Sequence, residues 1–251
     1  RKTHLMVLDV DGLTLTNVGI PGDIAKKDVQ STAEAVISLL PAAFQTVSYI
    51  VMASSSFGRK GDQINMHIHF FLEKEVAPQS LKTWLRSLNV TIPQIETQLT
   101  LTPSMQSVKS TIDPCLAENS RIVYIAPPEF GDSATNPFAD DGDRIVLVNK
   151  AQATVDLHPL LAETNATTVA AKIEKKRKEL LRVLGINVRE HKTTRMKTDE
   201  GEFDVITNPH EIALEFAYAD SQYVRYNVNG GDSNAYWVMR SNPVIMHCFK
   251  P

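Results

Sequence analysis

The feature that most constrains this chain is an apolar run near its start that carries two acids, Leu5-Met6-Val7-Leu8-Asp9-Val10-Asp11. The run predicts a buried β-strand, whose side chains alternate between the two faces of a sheet. Asp9 and Asp11 then project from one face, while Leu8 and Val10 pack behind them. Two carboxylates held this close repel each other unless a positive group lies between them. We therefore expect a divalent metal, which prefers oxygen ligands, and the alternative is two exposed acids before a glycine turn.

Composition limits the class of protein without naming its function. The 251 residues are 43% hydrophobic and 22% charged, which suits one large domain or one domain with a smaller annex. A formal net charge of -3 gives no overall attraction to nucleic acid, so such binding needs local basic patches.

Cysteine content and hydropathy bear on where the chain works. Cys115 and Cys248 have neither zinc-site spacing nor a disulfide framework, which favours a reducing, cytoplasmic or other intracellular compartment. No apolar stretch reaches the length of a membrane span, so we expect no membrane contact. We also expect the natural protein to continue on both sides of this sequence.

Hydrophobic periodicity predicts an alternating order of strands and helices. Strands are expected at residues 5–10, 47–53, 65–73 and 121–126, and helices at 29–40 and 81–88. This order predicts an α+β fold, with an RRM-like antiparallel or mixed sheet and flanking helices.

A lysine-rich helix is expected from residue 168 to 184, capped by Gly185. We place a domain boundary near it, giving a catalytic core over residues 1–160 and a smaller C-terminal subdomain over 161–251. The basic helix is a candidate for following a nucleic-acid backbone, and the subdomain's aromatic residues are candidates for stacking on bases. These aromatic residues are Tyr218, Tyr223, Tyr226, Tyr236 and Trp237.

A second chemical cluster lies in the predicted strand at 65–73 and the loop before it. His67 and His69 share one face of that strand. The loop offers the hydroxyls of Ser54 and Ser56, the side chain of Lys60 and backbone N–H groups near two glycines, a combination that suits a triphosphate. A structural histidine and a solvated hairpin loop are the alternatives.

Three short motifs carry a resemblance to a known family. The strand ending Asp9-Val10-Asp11, the later strand entered through His67, and the isolated Ile112-Asp113 resemble the three motifs of archaeo-eukaryotic primases, particularly those of phages and mobile elements. The Ser54-Ser55-Ser56 loop and the segments 123–130 and 224–233 look like the phage versions as well.

The resemblance implies template-directed nucleotidyl transfer by a primase or primase-polymerase of a replication protein. Its partners would be single-stranded DNA, an NTP or dNTP, and a helicase domain in the same or a partner chain. Asp9, Asp11 and Asp113 would be the catalytic ligands of Mg²⁺ or Mn²⁺. His67 would contact the nucleotide phosphates.

The resemblance also leaves particular assignments open. Because Asn65 stands where the family often has Ser or a basic residue, His69 is an alternative to His67. Arg121 is a candidate for a further phosphate contact, and Asp156 is a weaker candidate for the third acid.

Three other interpretations remain open. The run Asp9-Val10-Asp11-Gly12 resembles the nucleophile motif of haloacid-dehalogenase-type phosphatases, although Leu13 replaces the expected Thr and Asp140-Asp141 follows a loop-like segment. The His67-Ile68-His69 run resembles the metal motif of rolling-circle (HUH-type) nucleases, for which Tyr218 is the candidate nucleophile. A catalytically silent nucleic-acid-binding domain is the non-enzymatic alternative.

Overall fold

The computed structural model describes most of the first three quarters of the chain. It covers residues 1–19, 28–103, 105, 107–118 and 141–184, with the isolated positions 123, 125–126, 128–129, 131, 136 and 138. Beyond residue 184 it describes the backbone of five strands. Two compact units result, Arg1–Leu184 and Gly185–Pro251.

The first unit contains the main sheet and all the described helices. Its strands are β1 (Thr3–Thr14), β2 (Tyr49–Ala53), β3 (Gln63–Val76), β4 (Thr100–Leu101), β5 (Val108–Lys109), β6 (Ile112–Asp113) and β7 (Ile145–Val148). Its helices are α1 (Val29–Ile37), α2 (Pro78–Thr91), α3 (Pro93–Glu96), α4 (His158–Ala162) and α5 (Ala166–Val183). The second unit contains β8 (Thr193–Thr198), β9 (Gly201–Ile206), β10 (Tyr223–Tyr226), β11 (Ala235–Arg240) and β12 (Ile245–Phe249).

The main sheet has five strands in the order β6-β1-β3-β2-β7, and every neighbouring pair is antiparallel. This confirms the α+β class, while the RRM-like detail stays a prediction. In the second unit β10, β11 and β12 form one antiparallel sheet, and β8 pairs with β9.

Two expectations about organisation differ from the structure or lie outside it. The lysine-rich helix, α5, belongs to the first unit, because it packs against α2 and the β4–β5 hairpin. The boundary therefore falls after Leu184 and not near residue 160. The strand expected at 121–126 lies largely outside the described residues.

The core lies on one face of the sheet, as the alternation of β1 and β3 requires. Met6, Leu8 and Val10 are buried on that face, and so are Ile68 and Phe70 of β3. Because a strand alternates faces, the acids of β1 and the histidines of β3 lie on the opposite face.

Helices α1 and α2 cover the core face. Helix α1 contacts β2 and β3, and α2 contacts β1 and β6. Between them Phe44 packs edge-to-face on Phe70 at 5.0 Å and stacks on Trp84 at 5.5 Å, measured between ring centroids. Aromatic pairs in these geometries add about 0.5–1.5 kcal/mol beyond the area that they bury.

Local capping chemistry fixes where three of these helices begin. Asp28 accepts a hydrogen bond from the Ser31 backbone N–H at 2.6 Å, and Asn165 accepts one from the Thr168 N–H at 3.0 Å. Pro78 opens α2, where its missing N–H costs no helical hydrogen bond. Among the described helices, none is long and apolar enough to cross a membrane.

Replacing either of two adjacent phenylalanines tests the assignment of the two faces. Phe70 is fully buried, whereas Phe71 is 49% exposed on the opposite face. We expect Phe70→Ala to lower the free energy of unfolding by about 3–5 kcal/mol, because it leaves a cavity. Phe71→Ala should change it by about 0.5 kcal/mol or less. Urea denaturation measures both, and equal losses would contradict this arrangement.

Candidate functional site

Three acidic residues and one histidine lie on three neighbouring strands, on the face of the sheet opposite the core. Asp9 of β1 lies directly opposite His67 of β3 and directly opposite Asp113 of β6. Directly opposed residues of antiparallel strands have Cβ atoms about 4.5–5.5 Å apart and point to the same side. We call Asp113, Asp9 and His67 the acid row, and Asp11 follows two positions along β1. The main sheet thus brings together residues from three distant parts of the chain.

Each carboxylate near the acid row contacts a different partner. The Nε2 atom of His67 lies 3.3 Å from Oδ1 of Asp9. The Lys109 ammonium lies 3.5 Å from Oδ2 of Asp11, and the Cys115 backbone N–H donates to Oδ1 of Asp113 at 2.8 Å. Among the described residues, no three His, Cys, Asp or Glu side chains converge as a ready-made metal site.

The donor set nevertheless fits Mg²⁺ or Mn²⁺. Asp9 and Asp113 are like charges on directly opposite residues, an arrangement that destabilises a sheet unless a cation offsets it. Carboxylate oxygens are the ligands that these hard cations prefer. Asp9, Asp11 and Asp113 would hold such an ion once their side chains turn from their separate partners toward one another.

His67 presents one ring nitrogen to the acids and buries the other. Its Nδ1 atom is shielded from solvent and has no hydrogen-bond partner among the described residues. A buried polar atom left unpaired costs about 1–3 kcal/mol, so such atoms are uncommon and often mark functional sites. The position of this histidine is therefore not explained by local stability alone.

His69 lies on the same face but one step away from the acid row. Its cross-strand partners are Val7 and Ile50, and its ring stands perpendicular to that of His67 with 6.5 Å between centroids. Burial, and secondly the neighbouring His67, lower the pKa of His69 to about 4. His69 is therefore neutral at pH 7, and His67 is the histidine beside Asp9.

A buried amide fixes the position of Asp11. The pairing of β1 and β3 shifts register after Asp11, where Gly12 adopts a positive φ of 80° that favours glycine. The Gly12 N–H donates to the Asn65 side chain at 2.9 Å, and Asn65 is almost fully buried. Asn65, which the sequence marked only as a departure from the family pattern, thus holds this bulge.

A second buried amide holds the edge strand that carries Asp113. The Asn89 side-chain oxygen accepts from the N–H groups of Thr111 and Ile112 at 3.0 and 2.9 Å. Its amide nitrogen donates to the Ile112 carbonyl at 2.9 Å. Because β6 has only two residues, these bonds from α2 supply much of its attachment. Nothing in the local sequence pattern identified this role of Asn89.

The predicted phosphate-binding loop leaves the sheet at the end that carries Asp11. The Ser54 N–H donates to the Asn65 carbonyl at 3.0 Å, and Asn65 lies opposite Asp11. The hydroxyls of Ser54 and Ser56 lie 3.0 Å apart, while Lys60 is exposed. The loop therefore leaves β2 at the same end of the sheet as Asp11, with β3 between β2 and β1.

Arg144 is a buried cation that the sequence did not single out. Its guanidinium donates to the Ala53 carbonyl at 3.1 Å, directly before the Ser54 loop. It also donates to the carbonyls of Ile125 and Ala126 at 2.6 and 3.0 Å. Since three carbonyls use its donors, Arg144 acts as a support for the loop.

Several candidate residues lie elsewhere or outside the described part of the chain. Asp156 pairs with Lys74 at 2.7 Å. Lys74 lies seven residues beyond His67 on β3, a separation of about 23 Å at roughly 3.3 Å per residue. Asp156 is therefore not the third acid. Arg121, Tyr218, Asp140 and the side chain of Asp141 lie outside the described residues.

Comparison with known proteins identified no relative. No protein-family model matched the chain, and neither the search of curated proteins nor the search of solved structures gave a match. Function is therefore inferred from the residues of this chain and their geometry.

Removing the Asn89 amide should loosen β6. We expect Asn89→Ala to lower the free energy of unfolding by about 2–4 kcal/mol, because two buried N–H groups lose their acceptor. Ser87→Ala is the matched control, since among the described residues its buried hydroxyl bonds only the Trp84 carbonyl within the same helix. It should cost about 1 kcal/mol. Urea denaturation gives both values, and similar losses would contradict the role assigned to Asn89.

The neutral state of His69 predicts a pH dependence of stability. Its pKa in the folded chain, about 4, lies below the usual 6.5. Between these two pH values the unfolded chain therefore binds a proton at this histidine and the folded chain does not. Its stabilising contribution is complete above pH 6.5 and decreases as the pH falls toward 4. Because the ring is partly exposed, we expect a loss of about 1 kcal/mol at pH 5. Urea denaturation at pH 7.5 and 5 gives the difference in free energy of unfolding between wild type and His69→Gln. This difference should change by about 1 kcal/mol between the two pH values, and an unchanged difference would contradict the neutral state of His69.

Proposed function

We propose that the first unit is the catalytic domain of a metal-dependent nucleotidyltransferase, a primase or primase-polymerase of the archaeo-eukaryotic type. The acid row is the observation that carries this proposal, because Asp113, Asp9 and His67 come from separate segments and stand directly opposite one another on three neighbouring strands. Asp11 lies beside them on the same face. The substrates would be an NTP or dNTP and a single-stranded DNA template.

The carboxylates would supply the metal-binding part of such a site. Asp9, Asp11 and Asp113 would hold Mg²⁺ or Mn²⁺. When bound, these ions would lower the pKa of the attacking 3′-hydroxyl and stabilise the charge on the departing pyrophosphate. Lys109 reduces the repulsion at Asp11, and His67 contacts Asp9.

The neighbouring polar groups suit the triphosphate. His67 faces the acids through Nε2, so the same ring edge can donate to a phosphate oxygen. The loop at Ser54 and Ser56 supplies hydroxyls at the same end of the sheet, with Lys60 as an exposed cation. Arg121 is proposed as a further phosphate contact on the family resemblance. We also propose intracellular action within a replication protein that includes or recruits a helicase domain.

Primer synthesis on single-stranded DNA tests the proposal. With labelled nucleotides and Mg²⁺ or Mn²⁺, the wild type should extend or start primers. Asp9→Asn and Asp11→Asn should reduce product by about 100-fold or more, because each removes charge from the site where transition-state charge must be stabilised. The control is Asp156→Asn, which removes an acid paired with Lys74 on the far part of β3 and should keep normal activity.

Other results would support a different function. A phosphorylated Asp9, trapped with a phosphomonoester and detected by mass spectrometry, would favour the phosphatase interpretation. A covalent adduct of Tyr218 with cleaved DNA would favour the rolling-circle nuclease. Folded wild type that neither binds Mn²⁺ nor makes product would favour the silent domain.

A further inference from the structure

The exposed side of α5 carries a row of cations. Lys172, Lys175, Lys178 and Arg182 follow one another at spacings of three or four residues, so they lie along one side of the helix. We call these four residues the basic stripe. They extend over about 15 Å at roughly 1.5 Å of rise per residue. The chain as a whole has a net charge of -3, so the stripe is a locally positive surface on a negatively charged chain.

Ion pairs within the first unit satisfy the other cations of α5 and not the stripe. Lys176 pairs with Glu96 at 3.6 Å and with Glu179 at 3.1 Å. Arg177 forms two hydrogen bonds of 2.8 Å with Glu174. Among the described residues, the four cations of the basic stripe form no such ion pair. The stripe is thus a set of cations without an ion pair within 4 Å in the part of the unit that the structure describes, although, with Arg177, Lys178 helps to lower the pKa of Glu174.

Packing of α5 disfavours a membrane as the partner of the stripe. A basic amphipathic helix binds a bilayer by burying its apolar side in the headgroup region. Of the apolar residues of α5, Val169 and Leu181 are already buried in the first unit, where the helix packs against α2, and Val183 is exposed at its end. A polyanion that needs only charge, such as a phosphate backbone, suits the remaining surface better.

The β4–β5 hairpin lies between α5, which carries the basic stripe, and Asp11 of β1. Helix α5 contacts both strands of the hairpin. Lys109 at the end of β5 reaches Asp11 at 3.5 Å. We propose that the basic stripe binds the phosphate backbone of single-stranded nucleic acid and holds it beside the hairpin. The identification of this strand as a template rests on the proposed function.

Salt dependence of DNA binding tests the stripe directly. The full chain is titrated into a fluorescent single-stranded oligothymidylate without metal or nucleotide, between about 50 and 200 mM salt. We expect the double substitution Lys175→Gln and Arg182→Gln to weaken binding. It should also reduce the slope of log K against log salt by about 0.7 for each phosphate that the protein no longer neutralises, roughly 1.4 for the two substitutions together. Gln preserves helix propensity, so circular dichroism should be unchanged.

The matched control removes the same charge from the same helix. Lys176→Gln with Arg177→Gln takes away cations that already pair with glutamates, so the slope should stay at the wild-type value. An equal slope reduction in both double variants would overturn the proposal, as would a wild type that binds anionic vesicles and not DNA. A smaller salt slope in the stripe variant alone would support DNA binding by the stripe, even if the protein makes no primers. Primer synthesis by the wild type, with the same salt slope in the stripe variant as in the wild type, would refute the role of the stripe and leave the proposed function standing.

Discussion

The antiparallel pairing of β1 with β3 and β6 is the constraint on which the rest of the structure depends. It places Asp9 between His67 and Asp113 on one face and Leu8 in the core on the other. A slip of one residue would exchange the two faces, burying the acids and exposing the apolar side chains. Burial of the apolar face, which fixes the strand register, therefore also fixes the positions of Asp9, His67 and Asp113. The bulge at Gly12 ends this regular register directly after Asp11.

Two buried side-chain amides hold the backbone next to two of the acids. Asn65 binds the Gly12 N–H beside Asp11, and Asn89 binds the backbone on both sides of the Thr111–Ile112 peptide bond before Asp113. Each amide is neutral, so it fixes backbone near the carboxylates without adding charge. The acids keep separate partners, and bringing them closer together would cost electrostatic energy.

The alternation of apolar and polar side chains along β1 made the two faces of the sheet predictable from the sequence. The shared face of Asp9 and Asp11, the shared face of His67 and His69, and the course of α1, α2 and α5 follow from side-chain periodicity. The role of β6 did not, because two residues are too few to show a period. Asn89 and Lys109 were also missed, since their roles depend on contacts between elements distant in sequence. The attachment of α5 to the first unit was likewise missed, since it depends on packing against α2 and the β4–β5 hairpin.

Binding of Mn²⁺, followed by electron paramagnetic resonance, tests most directly the proposal that Asp9, Asp11 and Asp113 form a metal site. The signal of free Mn²⁺ should decrease on addition of wild-type protein, and Asp9→Asn or Asp113→Asn should largely restore it. Asp156→Asn, whose carboxylate pairs with Lys74, should bind Mn²⁺ like the wild type. Folded wild type that leaves the free signal unchanged, or equal binding by all three variants, would contradict the account.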